Sequence, residues 1–241
     1  MNRSGLICVF VLAASVLFGA QTDPQVIIVS EFVPGNPTTK VLSFNQFDTV
    51  GGTRTLTGVT ISLTQYMFGG YYAVDNDGAE IAEFSATHGT SGHLYTTAYT
   101  IPIQIVNDVY AQVTTGGTLP LPAHIDNRGD GFDTTDHYEW DGGADNMQLI
   151  GPIKANAISA TSSGTVTSGL EAYVGTGTLN IDYISRQASS STTAGGVSYG
   201  GTPASAMATM TVVYTYVPEP SSLALLALGC VALGMRRRLR S

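Results

Sequence analysis

The amino-acid sequence predicts an all-β protein: an antiparallel β-sandwich or jelly roll, with an N-terminal signal peptide and a C-terminal short transmembrane helix. The first observation is a period of two, because Val59, Ile61 and Leu63 alternate with threonine and serine, as in a strand with one buried face. The second is the recurrence of glycine-rich turns between such runs, as at residues 51–52 and 69–70. The third is that no body segment longer than about ten residues keeps the helical period of 3.6.

The N-terminal segment, residues 1–20, is predicted to be a signal peptide. Arg3 precedes an apolar run from Leu6 to Phe18. That run has the length of a signal-peptide core and is short for a membrane span. The small residue Ala20 follows the run, so we expect export and cleavage close to this position.

Residues 21–217 are predicted to form the β-sandwich body. Met210, Val212 and Tyr214 alternate with threonine in the last strand before the tail. The stretch at about 186–206 is rich in serine, threonine and glycine and is predicted to be a loop. β-Branched and aromatic residues, which suit a pleated surface, fill shorter candidate strands at residues 26–30, 40–44, 71–74, 81–84, 109–114, 153–160, 164–174 and 178–184.

Two short segments of the body carry polar residues with a structural interpretation. Residues 75–80 read Asp-Asn-Asp-Gly-Ala-Glu, which suits a calcium turn or, in the interpretation that we favour, a hairpin between alternating runs. His88 and His93 flank a segment of glycine, threonine and serine, and we expect both on a surface loop. The four histidines of the chain have no zinc-ligand spacing.

Charge and cysteine placement exclude several classes of site from the body. Five basic and seventeen acidic residues give it a formal charge of −12, so it is expected to repel phosphate backbones and to bind no nucleic acid. Both cysteines, Cys8 and Cys230, lie in the end segments. The body therefore has no disulfide, no thiol nucleophile and no cysteine-ligated zinc.

Residues 218–241 combine a Pro-Glu-Pro motif, an apolar stretch and a cluster of arginines, in that order. The apolar stretch runs from Leu223 to Met235. A helix counted from Ser221 to Met235 would span roughly 22 Å, which is short against a hydrocarbon core of about 30 Å. The arginines would hold their end of the helix on the cytoplasmic face. The motif and the cluster consist of Pro218, Glu219, Pro220, Arg236, Arg237 and Arg238, with Arg240 close behind.

This tail resembles the PEP-CTERM sorting signal of exported proteins of Gram-negative bacteria. The resemblance implies that Pro218, Glu219 and Pro220 are recognised by an exosortase-type membrane transpeptidase. It also implies that the helix holds the chain in the inner membrane until processing, after which the body is released or attached at the surface. We therefore expect a protein exported across the inner membrane, transiently membrane-anchored, and located at the cell surface or in the extracellular matrix.

The start of the body resembles the choice-of-anchor E domain, which occurs ahead of such sorting tails. In that domain an aromatic segment with an aspartate leads through glycine into a Leu-Thr-x-Val strand. The family has no established activity, so the resemblance implies no catalytic residues. The matching residues here are Phe44, Phe47, Asp48, Leu56, Thr57, Val59, Ile61 and Leu63.

The densest polar segment runs from His124 to Asn146 and holds seven carboxylates. A loop of aspartate, asparagine and glycine can supply the six to eight oxygens that calcium takes, although the spacing departs from the EF-hand pattern. The alternative is a solvated acidic loop between strands. The candidate calcium ligands are Asp126, Asn127, Asp130 and Asp133.

Aromatic residues suggest a second kind of binding. Tyr138 and Trp140 lie in the acidic segment, and Tyr66, Tyr71 and Tyr72 lie close to the glycine pair at 69–70. Exposed rings beside polar groups stack on the C–H faces of sugars. Tyr138 and Trp140 are therefore candidates for glycan stacking, and the alternative for all these rings is packing in the core.

The sequence contains no Gly-x-Ser-x-Gly elbow, phosphate loop or dinucleotide fingerprint, so we expect no enzymatic activity. We expect an exported surface or extracellular-matrix protein with a structural or adhesive role. The alternative is a carbohydrate-binding module, calcium-dependent or not, whose partner is an extracellular polysaccharide. A third alternative is a glycan hydrolase that uses Asp133, Asp136 and Glu139 as paired carboxylates.

Overall fold

Strands account for most of the body. A computed structural model describes residues 19–35, 37–96, 103–115, 118–123, 146–193 and 197–219. Two short 3-10 helices, Lys154–Asn156 and Leu170–Tyr173, lie in these ranges. The strands there are β1 (Ala20–Gln21), β2 (Gln25–Phe32), β3 (Thr38–Asn45), β4 (Arg54–Phe68), β5 (Tyr71–Asn76), β6 (Ala82–Thr96), β7 (Ile103–Thr114), β8 (Leu119–Leu121), β9 (Asn146–Ile150), β10 (Ile158–Val166), β11 (Thr178–Gln187), β12 (Ser190–Thr193), β13 (Val197–Thr202) and β14 (Ser205–Pro218).

The two ends predicted to be targeting segments lie mostly outside the described ranges. This holds for residues 1–18 of the signal peptide and for the apolar stretch of the tail. Within the part of the chain that the structure describes, no helix is both long enough and apolar enough to span a membrane. The signal peptide and the tail helix stay predictions.

The first sheet is built around the pair β4 and β14. Its order is β1-β14-β4-β10, and β2 also pairs with β14. Ile61 lies opposite Val212 and Leu63 lies opposite Met210, and all four side chains are fully buried. The period of two therefore places these residues on the inner face, as predicted.

The outer face of the same sheet is polar. Thr64 pairs with Thr161 of β10 and with Thr209 of β14, and the Thr64 and Thr161 hydroxyls are 2.9 Å apart. The hydroxyls of Thr60 and Thr165 repeat this contact at 3.2 Å. The threonines of the alternating pattern thus form hydrogen-bonded ladders on the side away from the core.

The second sheet surrounds the long strand β6 and packs against the first. Its order is β12-β6-β11-β3, and β7 and β8 also pair with β6. Inward-facing residues of the two sheets share one buried cluster, and all the strand pairs are antiparallel. The predicted all-β, antiparallel class is confirmed, and the jelly-roll alternative stays a prediction. The shared cluster includes Ile61, Leu63, Met210 and Val212 from the first sheet and Phe44, Leu94, Val109, Ile181 and Tyr183 from the second.

A small third sheet, with the order β13-β5-β9, corrects the prediction of a loop at about 186–206. β11 extends to Gln187, and β12 and β13 lie inside this stretch. This stretch consists largely of serine, threonine and glycine and has too few apolar residues for an alternating pattern. The strands therefore cannot be recognised from the sequence. Their backbones pair with residues of β6 and β5, and those pairings determine the structure.

The predicted strands at 153–160 and 164–174 are also corrected. A single strand, β10, covers Ile158–Val166, with a 3-10 helix before it and another after it. Gly169, at φ 63°, precedes the second 3-10 helix in the left-handed conformation that glycine adopts most easily. That helix turns Tyr173 into the core, where it is fully buried.

Residues 75–80 connect two sheets instead of closing a hairpin, because β5 belongs to the third sheet and β6 to the second. Asn76 is fully buried, and its Nδ2 donates to the carbonyls of Glu80 at 2.8 Å and Pro122 at 2.5 Å. Its Oδ1 accepts a hydrogen bond from the Gly78 N–H at 3.0 Å. Residues 77–81 form an irregular bend, and the hydrogen bonds of the Asn76 side chain hold this bend instead of a two-residue hairpin turn.

Candidate functional site

The Pro-Glu-Pro motif begins inside the fold. β14 ends at Pro218, which pairs with Arg54 at the start of β4. The N–H of Glu219 donates to the Thr53 carbonyl at 2.9 Å, and Thr55 Oγ1 donates to Glu219 Oε1 at 2.9 Å. Two of the three motif residues are therefore held against β4 by backbone and side-chain contacts.

The other site residues predicted from the sequence lie outside the described ranges. In the ranges that are described, no group of three or more His, Cys, Asp or Glu side chains is arranged to hold a metal ion. The calcium and glycan-stacking hypotheses on the acidic segment stay predictions. The residues concerned are Pro220, Arg236, Arg237 and Arg238 of the tail, the calcium candidates Asp126, Asn127, Asp130 and Asp133, and the stacking candidates Tyr138 and Trp140.

A cleft of about 350 Å³ opens beside the third sheet, and we call it the tyrosine cleft. Its walls come from β5, β6 and β13, together with the segment that links β11 to β12. Among the described residues that line it, there is no aspartate, glutamate, lysine or arginine. The residues that characterise it are Tyr71, Tyr72, His88, Ser189, Tyr199 and Thr202.

Two tyrosines of the cleft form a stacked pair. The ring centroids of Tyr72 and Tyr199 are 6.1 Å apart, with 15° between the ring planes. The residue directly opposite Tyr72 is Gly201, so Tyr199 reaches the Tyr72 ring diagonally over a position without a side chain. The Tyr72 hydroxyl donates to Ser191 Oγ at 2.7 Å, while Tyr199 is 61 % exposed.

His88 lies on β6 and is 1 % exposed, so the prediction of a surface loop is wrong for it. The glycine after it serves close packing, because a Cβ at Gly89 would lie 2.2 Å from the Ala111 carbonyl oxygen. His88 Nδ1 is 3.0 Å from Ser189 Oγ, and among the described residues Nε2 makes no hydrogen bond of regular length and angle. Burial lowers the pKa of His88 below 6.5, against a smaller opposing effect of the Gly69 carbonyl, so the ring is neutral at pH 7.

His93 also lies on β6, where it joins an ion-pair cluster instead of a loop. Its Nδ1 is 2.6 Å from Asp108 Oδ1, and an Arg186 guanidinium nitrogen is 2.9 Å from Asp108 Oδ2. Burial alone would raise the pKa of Asp108, but the hydrogen bond and charge of His93, with the charge of Arg186, hold it below its ordinary value. The three residues stand on β6, β7 and β11, so the cluster links three neighbouring strands.

Sequence reasoning identified only part of the tyrosine cleft. It singled out Tyr71 and Tyr72 but missed Tyr199 and His88. A signal for Tyr199 does exist, because it is followed by Gly200 and Gly201 just as Phe68 is followed by a glycine pair. No comparable signal marks His88, whose place in the cleft depends on the pairing of distant strands.

The chain has distant similarities to solved structures. One is the structure of infectious bursal disease virus Gx strain, with 12 % identity, a TM-score of 0.19, and coverage of 90 % of this chain and 48 % of that chain. Another is the crystal structure of the VP2 subviral particle of infectious bursal disease virus, with 12 % identity, a TM-score of 0.18, and coverage of 91 % of this chain and 50 % of that chain. The chain thus spans about half the length of these proteins, and no curated protein matches it.

The C-terminal segment matches a known family motif. The match begins at Val217, inside β14, and extends through the region where the sequence predicts the apolar stretch and the arginines. This motif marks a protein that is exported, transiently membrane-associated and sorted by an exosortase system. The resemblance stated for the tail is confirmed: residues 217–238 of the chain are a PEP-CTERM protein-sorting motif.

Proposed function

We propose that the protein is a structural or adhesive component of the cell surface or extracellular matrix. The observation that carries this proposal is the sorting motif, because it marks a chain with an all-β body for sorting by an exosortase system. The exosortase recognises this chain as its substrate by the Pro-Glu-Pro motif, and the tail helix anchors the chain in the inner membrane until processing. The body acts by binding and not by catalysis.

Properties of the body support a role in an exposed, hydrated setting. Its formal charge of −12 keeps it solvated and disfavours anionic membranes. Hydroxyl ladders cover the outer face of the first sheet, as in the pairs Thr60–Thr165 and Thr64–Thr161. The core that the two sheets share stabilises the body, which contains no cysteine.

The experiment is to produce the full chain in a Gram-negative host with an exosortase and in the same host without it. We expect surface-exposed or released protein only in the first host, with an intact mass that lacks Arg236 to Arg240. Replacing Pro218, Glu219 and Pro220 with alanine should leave the protein unprocessed in the membrane fraction. The exposed acid Glu83, replaced with alanine, is the matched control and should be processed normally. Surface protein that retains the arginine cluster would contradict the proposal.

A second candidate function is carbohydrate binding, which the tyrosine cleft favours. A stacked tyrosine pair beside hydroxyl groups, in a cleft whose described lining has no Asp, Glu, Lys or Arg, suits a sugar. Calcium dependence and the use of Tyr138 and Trp140 belong to the same candidate. Binding of the full chain to immobilised polysaccharide, with calcium and with chelator, tests it.

A further inference from the structure

We propose that the tyrosine cleft is the glycan site and that it takes one or two sugar units of an uncharged polysaccharide. The proposal rests on the carbohydrate-binding candidate and deepens it by naming the site and the class of sugar. It assigns binding to residues of β5, β6 and β13 instead of the acidic segment. Tyr199 is the stacking platform, and Thr202 and Ser189 supply hydroxyl groups.

The platform is backed by a second ring on one side and open on the other. Tyr72 backs the Tyr199 ring, and Tyr72 is itself fixed by its hydrogen bond to Ser191 at 2.7 Å. Tyr199 nevertheless keeps 61 % of its surface exposed. A ring already held in place loses little conformational freedom when a ligand stacks on it, so more of the contact energy appears as affinity.

Gly201, which lines the cleft opposite Tyr72, has no room for a side chain. A Cβ on Gly201 would lie 2.3 Å from the Tyr71 carbonyl oxygen, so this position excludes any larger residue unless the backbone moves. The cleft volume of about 350 Å³ is at the low end of the range for small-molecule sites. This volume suits one or two sugar rings, and because the cleft is wide open to solvent, the rest of a polymer would lie outside it.

The absence of charge in the cleft selects the ligand. Of the lining residues that the structure describes, His88 alone is ionisable near neutral pH, and burial lowers the pKa of His88 so that it is neutral at pH 7. The body around the cleft carries a formal charge of −12, which repels uronic acids and sulfated sugars. A neutral hexose offers the C–H faces for Tyr199 and the hydroxyls for Thr202 and Ser189.

The polar wall of the cleft is held in place by hydrogen bonds. Gln187 Nε2 donates to the carbonyls of Ala204 at 2.9 Å and Pro34 at 3.2 Å, and its Oε1 accepts from the Ala204 N–H at 3.1 Å. His88 contacts Ser189 at 3.0 Å. Gln187 and His88 are positioning residues, while Ser189 and Thr202 are the residues that meet the sugar.

The test measures binding of the full chain to dextran and galactomannan, both neutral, and to alginate, which is anionic. We expect the chain to bind a neutral polymer. Tyr199→Ala should weaken the affinity about tenfold or more, because it removes an aromatic anchor. Tyr199→Phe keeps the ring and should keep the affinity. Tyr110→Ala removes a ring that is 49 % exposed on β7 and is the matched control. Unchanged thermal unfolding shows that each variant is folded.

Three results would overturn the proposal. Binding that survives Tyr199→Ala but is lost in Trp140→Ala moves the site to the acidic segment and leaves carbohydrate binding intact. Binding to alginate alone overturns the neutral sugar class. No binding to any of the polymers rejects both this site and the carbohydrate-binding candidate, and it leaves the sorting experiment unaffected.

Discussion

A buried hydrogen-bond network between the two sheets gives the sharpest stability prediction. The Tyr183 hydroxyl donates to Gln65 Oε1 at 2.6 Å, and Gln65 Nε2 donates to Thr90 Oγ1 at 2.9 Å. All three residues are fully buried. The variant Tyr183→Phe keeps the ring, so it creates no large cavity, but it leaves Gln65 Oε1 without its donor.

The expected loss follows from the cost of an unpaired buried acceptor, about 1–3 kcal/mol. For a domain of this size each kcal/mol shifts the melting temperature by about 2–4 °C, so we expect a fall of about 2–12 °C. Differential scanning calorimetry and urea unfolding of the full chain measure the change. A second Gln65→Met substitution removes the unpaired oxygen, so the double variant should lose less than the sum of the two single losses.

Tyr214→Phe is the matched control for this prediction. Tyr214 is 2 % exposed, and its hydroxyl donates to the Asn45 carbonyl at 2.6 Å. That carbonyl also accepts from Gln25 Nε2 at 3.0 Å, so it keeps a donor after the substitution. We expect a loss of about 0.5–1.5 kcal/mol. A Tyr183→Phe loss no larger than that of Tyr214→Phe would refute the reasoning.

Two further predictions concern packing and pH. Gly164→Ala places a Cβ 2.0 Å from the Ile105 carbonyl oxygen, so it should lower the free energy of unfolding in a urea titration by about 1–3 kcal/mol or more. Gly58→Ala is the control, because its Cβ meets nothing closer than 3.7 Å, and it should leave the free energy of unfolding nearly unchanged. The pKa of His88 is lower in the folded chain than in the unfolded chain. As the pH falls below 6.5, the imidazole is therefore protonated in the unfolded chain before it is protonated in the fold. The free energy of unfolding should decrease over this range, by at most about 1.4 kcal/mol per pH unit. His88→Gln should flatten the slope just below pH 6.5, and an unchanged slope would show that burial of His88 is not its cause.

The core was predictable where side chains alternate. Val59, Ile61 and Leu63 are fully buried, as their period of two predicts. Phe44 and Phe47, which carry the choice-of-anchor E resemblance, are 3 % and 2 % exposed, so those aromatic positions of the resemblance coincide with core packing. A local pattern suffices here because one strand alone determines which side chains face inward.

The network and the tyrosine cleft were not predictable in the same way. Gln65 stands at an inward position of β4, and nothing near it in the sequence reveals that Tyr183 and Thr90 satisfy its amide. Tyr199 stands in a stretch of low complexity, and its partner Tyr72 is more than a hundred residues away. Such contacts depend on strand order and register, which no single segment encodes.

The placement of β14 has a mechanical consequence. This strand of 14 residues lies between β4 on one side and β1 and β2 on the other, and the sorting motif continues directly from its end. Tension applied at that end acts along the strand, while its ladder hydrogen bonds lie across it. The pull therefore loads both ladders in shear, many bonds at once, instead of opening them one after another. A body attached at this end would withstand traction through a strand that is paired along both of its edges.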